Sequence, residues 1–205
     1  MALKIKYIIM FLLNLLLSLI FLIILSPLMI IIGVMIKLSS KGPIFFKQKR
    51  ITQYGREFYI FKFRTMRMGS ESEGQLTCKN DTRVTKIGKF LRKYRLDEIP
   101  QLINVLIGDM TFVGPRPEVP KYVNAYTDEM KKTLQVKAGI TSMASIMFRD
   151  EDKYLENAED ADSVYINEIL PIKMKYNLEY LEHRSVFLDI KIIILTFLKV
   201  FKIMR

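Results

Sequence analysis

Residues 7 to 36 read YIIMFLLNLLLSLIFLIILSPLMIIIGVMI, thirty consecutive positions without a charged side chain. A helix of that length is about 45 Å long, whereas the hydrocarbon core of a bilayer is about 30 Å thick. A secretory signal peptide has a shorter apolar core and a small-residue cleavage site, and this stretch has neither. The pattern therefore predicts a membrane helix, which we place at residues 1–38.

A Ser-Pro pair interrupts this apolar run at Ser26 and Pro27. Proline removes a backbone hydrogen bond and bends a helix when it lies in the interior. Basic residues flank both ends of the run, whereas a simple span is expected to have one basic side. Two geometries fit these residues: a tilted helix that crosses the bilayer, and a re-entrant helix that bends at the Ser-Pro pair and returns to the same face.

Composition limits the partners of the chain. Its 205 residues are enough for one ordinary domain and a membrane element, and its formal net charge of +11 favours an anionic partner. No recognisable nucleic-acid-binding motif accompanies this charge, so we expect lipid head groups or phosphorylated small molecules and no nucleic acid. The single cysteine, Cys78, excludes an internal disulfide, and the single histidine, His183, excludes a zinc cluster of His and Cys ligands.

The segments after the membrane helix carry most of the basic charge. Two apolar and aromatic runs, Ile44–Ile51 and Phe58–Met66, flank a turn at Gly55 and predict a β-hairpin. A solvated basic face accounts for many of the lysines in this region. The last apolar run carries several lysines, which favours an interfacial helix at residues 187–205, or a helix that packs against the membrane element, over a second span. Residues 39–186 would then form one domain between these two apolar elements.

Two adjacent carboxylates, Asp97 and Glu98, precede a short apolar stripe with helical spacing. Pro100 suits the first turn of that helix, so Asp97 could serve simply as its N-cap. The surrounding charge favours more than a cap, because a basic segment comes immediately before the pair. Glu98 adds a second oxygen ligand of the kind that Mg²⁺ prefers, and a carboxylate can accept a phosphoryl group. Downstream, a Gly-Pro-Arg-Pro turn holds Arg116, whose guanidinium can bind phosphate through two donors.

These ordered motifs resemble those of the bacterial sugar transferases known as small monotopic phosphoglycosyl transferases, or polyprenyl-phosphate hexose-1-phosphate transferases. The resemblance runs from about Tyr7 to Lys199. Its segments are Ser26-Pro27, Lys62-Phe63-Arg64-Thr65-Met66, Leu96-Asp97-Glu98 to Asn104, Gly108-Asp109-Met110, and Val113 to Pro117. It implies an α/β monotopic membrane protein with a re-entrant helix broken at Ser-Pro. A single cytosolic, mostly helical catalytic domain containing a β-hairpin would lie on the bacterial inner membrane.

The resemblance also implies a reaction. The family transfers a sugar 1-phosphate from a UDP-sugar to undecaprenyl phosphate through a covalent aspartyl-phosphosugar intermediate and releases UMP. Asp97 and Glu98 would be catalytic, with Asp97 as nucleophile and Glu98 as the Mg²⁺ ligand. The expected substrate-binding residues are Lys62, Arg64, Arg95, Arg116 and Arg149. The expected partners are the UDP-sugar, undecaprenyl phosphate, the phospholipid bilayer and a possible second copy in a homodimer.

One segment departs from the family pattern. Most members have Arg-Pro-Gly-Ile-Thr-Gly, whereas residues 137–145 read Lys-Ala-Gly-Ile-Thr-Ser-Met-Ala-Ser. The difference puts sugar or nucleotide recognition in question rather than the phosphate chemistry, although an ordinary turn with apolar packing also fits these residues.

Two other functions fit the sequence. A basic peripheral protein could bind anionic lipid or nucleic acid by charge alone, and it would keep that binding after Asp97→Asn. A lipid-phosphate hydrolase could use the same acid pair without needing both substrates.

Overall fold

The computed structural model describes residues 2–70, 81–148 and 160–200, with side chains from residue 9 onward. In chain order the helices are α1 (Ala2–Ser39), α2 (Lys86–Lys93), α3 (Gln101–Leu106), α4 (Pro120–Val123), α5 (Asp128–Lys131), α6 (Met143–Met147), α7 (Ala161–Val164), α8 (Leu170–Glu182) and α9 (Val186–Val200). The strands are β1 (Phe45–Ile51), β2 (Glu57–Phe63), β3 (Met110–Val113) and β4 (Ala138–Thr141). A mixed fold dominated by helices is therefore confirmed.

The predicted β-hairpin is confirmed as an antiparallel pair of β1 and β2, turning at Gly55, whose φ of +75° favours glycine. Residues that face each other across an antiparallel ladder share one side of the sheet. Arg50 faces Phe58 and Lys62 faces Phe46 on the side that also carries the buried Ile60. The hairpin therefore directs two cations, Arg50 and Lys62, towards the interior of the domain.

A second sheet, which the sequence pattern did not predict, pairs β3 and β4 in parallel. Beyond β3, the Gly114 amide donates to the Thr141 carbonyl, and the Gly139 amide donates to the Pro115 carbonyl. A Cβ atom on Gly139 would lie 2.1 Å from the Gly114 nitrogen, so the two backbones can meet this closely only at glycine. The atypical segment 137–145 is therefore a strand and the start of α6, packed against the Gly-Pro-Arg-Pro turn.

One stripe of α1 packs on the rest of the domain along most of the helix. Its least exposed members recur at three- and four-residue spacing: Met10, Asn14, Leu15, Ser18, Leu22, Leu25, Met29, Ile32, Gly33 and Ile36. In the first half, the Phe112 amide donates to Asn14 Oδ1 (2.9 Å), and Phe21 contacts the Phe112 ring edge-on. In the second half, Ile32 and Ile36 pack in one apolar cluster with residues of β2 and α2. Both halves thus lie beside the same domain.

The remaining surface of α1 is apolar and mostly exposed. Among the described residues, α1 is the one helix long and apolar enough to cross a membrane, judged by length and composition. The helix continues through Ser26 and Pro27, where Ser26 Oγ donates to the Ile23 carbonyl (2.8 Å). The Ser-Pro pair is therefore not an interruption of the helix, and a bend at this point stays a prediction.

Helix α9 has one buried and one exposed apolar face. Ile192 packs against Val113, Ile146 and Tyr180 in the interior. The exposed apolar side chains are Val186, Phe187, Ile190, Ile194 and Phe197. The structure describes this helix up to Val200, and an interfacial position for residues 187–205 stays a prediction.

Candidate active site

The two adjacent carboxylates lie in a single turn of 3-10 helix, Leu96–Glu98, between α2 and α3. Arg95 is the N-cap of this turn and has the left-handed conformation, with φ 57°. The expectation that Asp97 caps the following helix is wrong: Pro100 occupies the N-cap position of α3, without a side-chain cap. Asp97 lies instead inside the short 3-10 turn that precedes α3.

Three cations from three parts of the chain converge on Glu98. Lys62 Nζ donates to Oε1 at 2.9 Å, and Arg116 Nη2 donates to the same oxygen at 2.5 Å, while Arg95 Nη1 lies 3.6 Å from it. Arg116 Nη1 also donates to Oε2 at 3.3 Å. The sequence-predicted residues Lys62, Arg95, Glu98 and Arg116 therefore form one cluster.

Charge and burial act in opposite directions on Glu98. Burial favours its protonated form, but the charges of Arg116, Lys62 and Arg95 outweigh burial and hold the pKa of Glu98 well below its usual range. Burial lowers the pKa of Lys62, and Glu98 partly offsets that effect. Ionised groups in a poorly solvated site interact more strongly than in water, so this cluster is suited to binding phosphate oxygens.

Asp97 is in the opposite situation. Its side chain is 7% exposed, and its Oδ1 atom is buried without a hydrogen-bond partner in the part of the chain that the structure describes. Burial, followed by the negative charge of Glu98, raises the pKa of Asp97, against the opposing charges of Lys62, Arg92 and Arg95. A more basic carboxylate with an unpaired oxygen is a better nucleophile than a solvated one.

The acid pair is fixed on the hairpin by Asn104 in α3. Asn104 Oδ1 accepts from the Phe61 amide (2.9 Å), and its Nδ2 donates to the Tyr59 carbonyl (2.8 Å). Asn104 is completely buried, so both ends of its amide are used to join α3 to the outer edge of β2. This contact sets the distance between the acid pair and Lys62, which lies on the same strand.

One predicted substrate-binding residue, Arg64, makes its described hydrogen bonds away from this cluster. The Arg64 guanidinium donates to the carbonyls of Ser40 and Lys41 at 2.8 Å, so it ties the end of β2 to the end of α1. A substrate contact by Arg64 stays a prediction. Arg149 lies outside the described residues.

Sequence reasoning missed two residues beside the cluster, Arg50 and Glu118. For Arg50 the available signal was the two-residue period of the hairpin, which places it on the same face as Lys62. Glu118 follows directly after the Gly-Pro-Arg-Pro turn, where a lone acid in a basic region was the available signal.

Asp97 and Glu98 fit a Mg²⁺ ion only if a substrate supplies further oxygen ligands. Among the described residues, no group of three or more His, Cys, Asp or Glu side chains could hold a metal ion. Mg²⁺ at phosphoryl-transfer sites is usually bound by one or two carboxylates together with substrate phosphates. Asp97 Oδ1, which has no hydrogen-bond partner among the described residues, and the adjacent Glu98 match that mode. Because Lys62 and Arg116 already neutralise Glu98, substrate oxygens would have to complete the coordination shell.

This geometry agrees with what comparison with known proteins shows. The family model described as bacterial sugar transferase matches residues 5–203, so the chain belongs to the bacterial sugar transferase family. The resemblance found in the sequence is thereby confirmed.

Several relatives have names that state an activity. A UDP-glucose:undecaprenyl-phosphate glucose-1-phosphate transferase of Xanthomonas campestris pv. campestris is 42% identical over 180 residues, which cover 85% of this chain and 35% of that protein. A UDP-N-acetylgalactosamine-undecaprenyl-phosphate N-acetylgalactosaminephosphotransferase of Aeromonas hydrophila is 38% identical over 175 residues, 83% of this chain and 38% of that protein. This chain thus spans less than two fifths of the length of either relative.

A shorter relative matches over most of its length. The uncharacterized sugar transferase EpsL of Bacillus subtilis (strain 168) is 37% identical over 165 residues, which cover 80% of this chain and 73% of that protein.

The left-handed backbone at Arg95 predicts an unusual order of stabilities. A residue with a side chain pays roughly 1 kcal/mol or more in this conformation, whereas glycine adopts it freely. We expect the free energy of unfolding of Arg95→Gly to equal that of Arg95→Ala or to exceed it by up to about 1 kcal/mol. Thermal unfolding of the two purified variants in the same detergent measures this difference. A less stable glycine variant would contradict the strain assigned to Arg95.

Proposed function

We propose that this protein transfers a sugar 1-phosphate from a UDP-sugar to undecaprenyl phosphate and releases UMP. The observation that carries the proposal is the unpaired, buried Oδ1 atom of Asp97 beside a Glu98 carboxylate bound by cations. A phosphoryl acceptor needs a free oxygen, and a diphosphate substrate needs positive charge around that oxygen. The names of the relatives from Xanthomonas and Aeromonas support the same reaction class.

The proposed reaction has two steps at one phosphorus atom. Asp97 Oδ1 attacks the phosphorus that carries the sugar, and the bond from this phosphorus to the bridging oxygen breaks, so that UMP leaves with that oxygen. An oxygen of undecaprenyl phosphate then attacks the same phosphorus and breaks its bond to Asp97. The carboxylate is regenerated, and the lipid carries the sugar through a diphosphate.

The cations have the task of stabilising the charge that collects during these steps. Lys62, Arg95 and Arg116 already point at one carboxylate oxygen, so they are positioned before a substrate arrives. An incoming diphosphate can share these donors with Glu98. A Mg²⁺ ion on Glu98 and Asp97 would offset further phosphate charge as a Lewis acid.

The substrate class is a UDP-linked hexose or N-acetylhexosamine. The two named relatives are 42% and 38% identical to this chain, and their names give different sugars. Sequence identity of this degree therefore does not identify the sugar. Segment 137–145 is a candidate for sugar selection, because it packs on the Gly-Pro-Arg-Pro turn that carries Arg116.

We propose a monotopic arrangement on the cytosolic face of the bacterial inner membrane, with α1 entering and leaving on the same side. The packing of α1 supports this arrangement, because Asn14 in its first half and Ile36 in its second half both contact the catalytic domain. The exposed apolar faces of α1 and α9 would contact lipid.

The carboxylate role predicts the result of removing one charge. Asp97→Asn should lower UMP release from UDP-sugars by at least about a thousandfold, because an amide is a poor nucleophile. The fold should be retained, since aspartate and asparagine have nearly the same volume. The measurement is UMP release with undecaprenyl phosphate in detergent or vesicles, over a panel of UDP-sugars.

Asp128→Asn is the matched control, because Asp128 is fully exposed and pairs with Lys131 on the surface. It should leave the rate unchanged. Rapid UMP release by Asp97→Asn would contradict the covalent mechanism, and sugar phosphate released as a free product would favour a hydrolase.

The monotopic arrangement predicts that both ends of α1 are accessible from one side. After replacement of the native Cys78 by serine, Lys4→Cys and Lys41→Cys should each react with an impermeant thiol reagent only from the cytosolic side. The assay compares intact spheroplasts with inverted membrane vesicles. Reaction of Lys4→Cys in intact spheroplasts would show that α1 crosses the membrane.

A further inference from the structure

A second buried ionic cluster lies beyond the proposed acid pair and surrounds Glu118. Tyr165 Oη donates to Glu118 Oε1 at 2.6 Å, and Lys173 Nζ donates to Tyr165 Oη at 2.8 Å. Lys173 Nζ also lies 3.4 Å from Glu118 Oε1, and Arg50 Nη1 lies 3.7 Å from Oε2. The phosphate chemistry proposed above uses none of these four residues.

Such a cluster is a weak source of stability. The Glu118 and Lys173 side chains are 6% and 5% exposed, and removing two charges from water costs about as much as their attraction returns. Burial favours protonated Glu118, but Lys173, Arg50 and the Tyr165 hydroxyl outweigh it and lower the pKa of Glu118. The cluster therefore keeps the buried Glu118 carboxylate ionised. Its contacts show which part of the backbone it holds in place.

Glu118 lies two residues after Arg116, and the backbone between them is bound to β1. Arg50 Nη1 donates to the Pro117 carbonyl at 3.0 Å, and the Ile51 amide donates to the Glu118 carbonyl at 3.0 Å. On the other side of Arg116, the Gly114 and Pro115 backbone is hydrogen-bonded to β4. Arg116 is thus held between two anchors, of which the second depends on the Glu118 cluster.

Tyr165 comes from an unusual part of the fold. It is the first residue of a π-helical segment, Tyr165–Ile169, that connects α7 to α8. Segments of this kind are rare and widen one turn of a helix, and they occur frequently at functional sites. Here Lys173, in α8, reaches the same hydroxyl group, so both side chains meet the carboxylate together.

We propose that Glu118, Arg50, Tyr165 and Lys173 are positioning residues that hold Arg116 on Glu98, and through it set the rate of the phosphate step. This inference rests on the proposed transferase function and deepens it. These residues reach Arg116 through the backbone of Pro117 and Glu118 and through the charges of Arg50 and Glu118, so weakening the cluster loosens one donor without removing it. Weakening the cluster should therefore lower kcat rather than change KM, because a donor organised for the reacting phosphate matters most in the transition state.

The test is Tyr165→Phe, which removes one hydroxyl group from the cluster and keeps the ring in the core. We expect kcat for UMP release to fall by about tenfold, while KM for the UDP-sugar changes by less than about twofold. Tyr122→Phe is the matched control, because the Tyr122 ring packs on Tyr165 while its hydroxyl donates to Asp162, outside the cluster. It should keep the wild-type kcat.

A double-mutant cycle separates positioning from general damage. In an Arg116→Lys background, the further loss caused by Tyr165→Phe should shrink to less than about twofold, because the residue on which it acts is already altered. A full tenfold loss in that background, or wild-type kcat in Tyr165→Phe alone, overturns the inference. The variant Glu118→Gln/Lys173→Met removes both charges together and should give the same pattern if Tyr165→Phe does not fold.

A measurement without substrate keeps the two proposals apart. Hydrogen exchange of the Ile51 amide, which donates to Glu118, should become faster in Tyr165→Phe and stay unchanged in Tyr122→Phe. If the wild-type protein releases no UMP from any UDP-sugar, the transferase function fails, and faster exchange still supports the anchoring. Unchanged exchange in Tyr165→Phe overturns the anchoring whatever the activity.

Discussion

The need to neutralise one buried carboxylate, Glu98, organises the catalytic domain. A carboxylate at this depth is stable only when cations or donors surround it. Lys62 comes from the hairpin, Arg95 from the start of the 3-10 turn that carries Glu98 itself, and Arg116 from the turn after β3. Lys62 and Arg116 are distant from Glu98 in sequence, so the contact with Glu98 fixes the arrangement of their segments. Because the cations serve Glu98, the neighbouring Asp97 keeps an oxygen that has no hydrogen-bond partner among the described residues.

The membrane helix and the catalytic domain form one packed body. The Asn14 side chain is a polar group in an apolar helix. It accepts a hydrogen bond from the backbone amide of Phe112 in β3. A polar group at membrane depth is costly without a partner, and an unpaired strand amide is costly in the same way. The contact therefore satisfies both groups and fixes the register of α1 on the domain.

Local patterns explain which features the sequence predicted correctly. The hairpin follows from two aromatic runs and Gly55, because neighbouring residues determine such an element. The clustering of Lys62 and Arg116 around the acid pair was expected from the family motifs that contain them, and Arg95 directly precedes the motif of the acid pair. The covalent role of Asp97 and a metal at Glu98 remain predictions.

Other features depend on distant contacts that no local pattern encodes. Strands β3 and β4 have four residues each and pair across 24 intervening residues, so neither carries a recognisable period. The packed stripe of α1 is invisible in a helix that is apolar on every side. Asp97 was expected to cap α3, because the sequence does not reveal the extra 3-10 turn before Pro100. Burial of Glu118 depends on Lys173, which is 55 residues away.

The most direct test of the central claim is the intact mass of the protein after incubation with a UDP-sugar and Mg²⁺ in the absence of undecaprenyl phosphate. The account predicts a mass increase equal to one sugar phosphate, located on the peptide that contains Asp97, with one UMP released for each protein. Addition of undecaprenyl phosphate should remove the added mass. UMP release that requires undecaprenyl phosphate and leaves the protein mass unchanged at every time point would contradict the account.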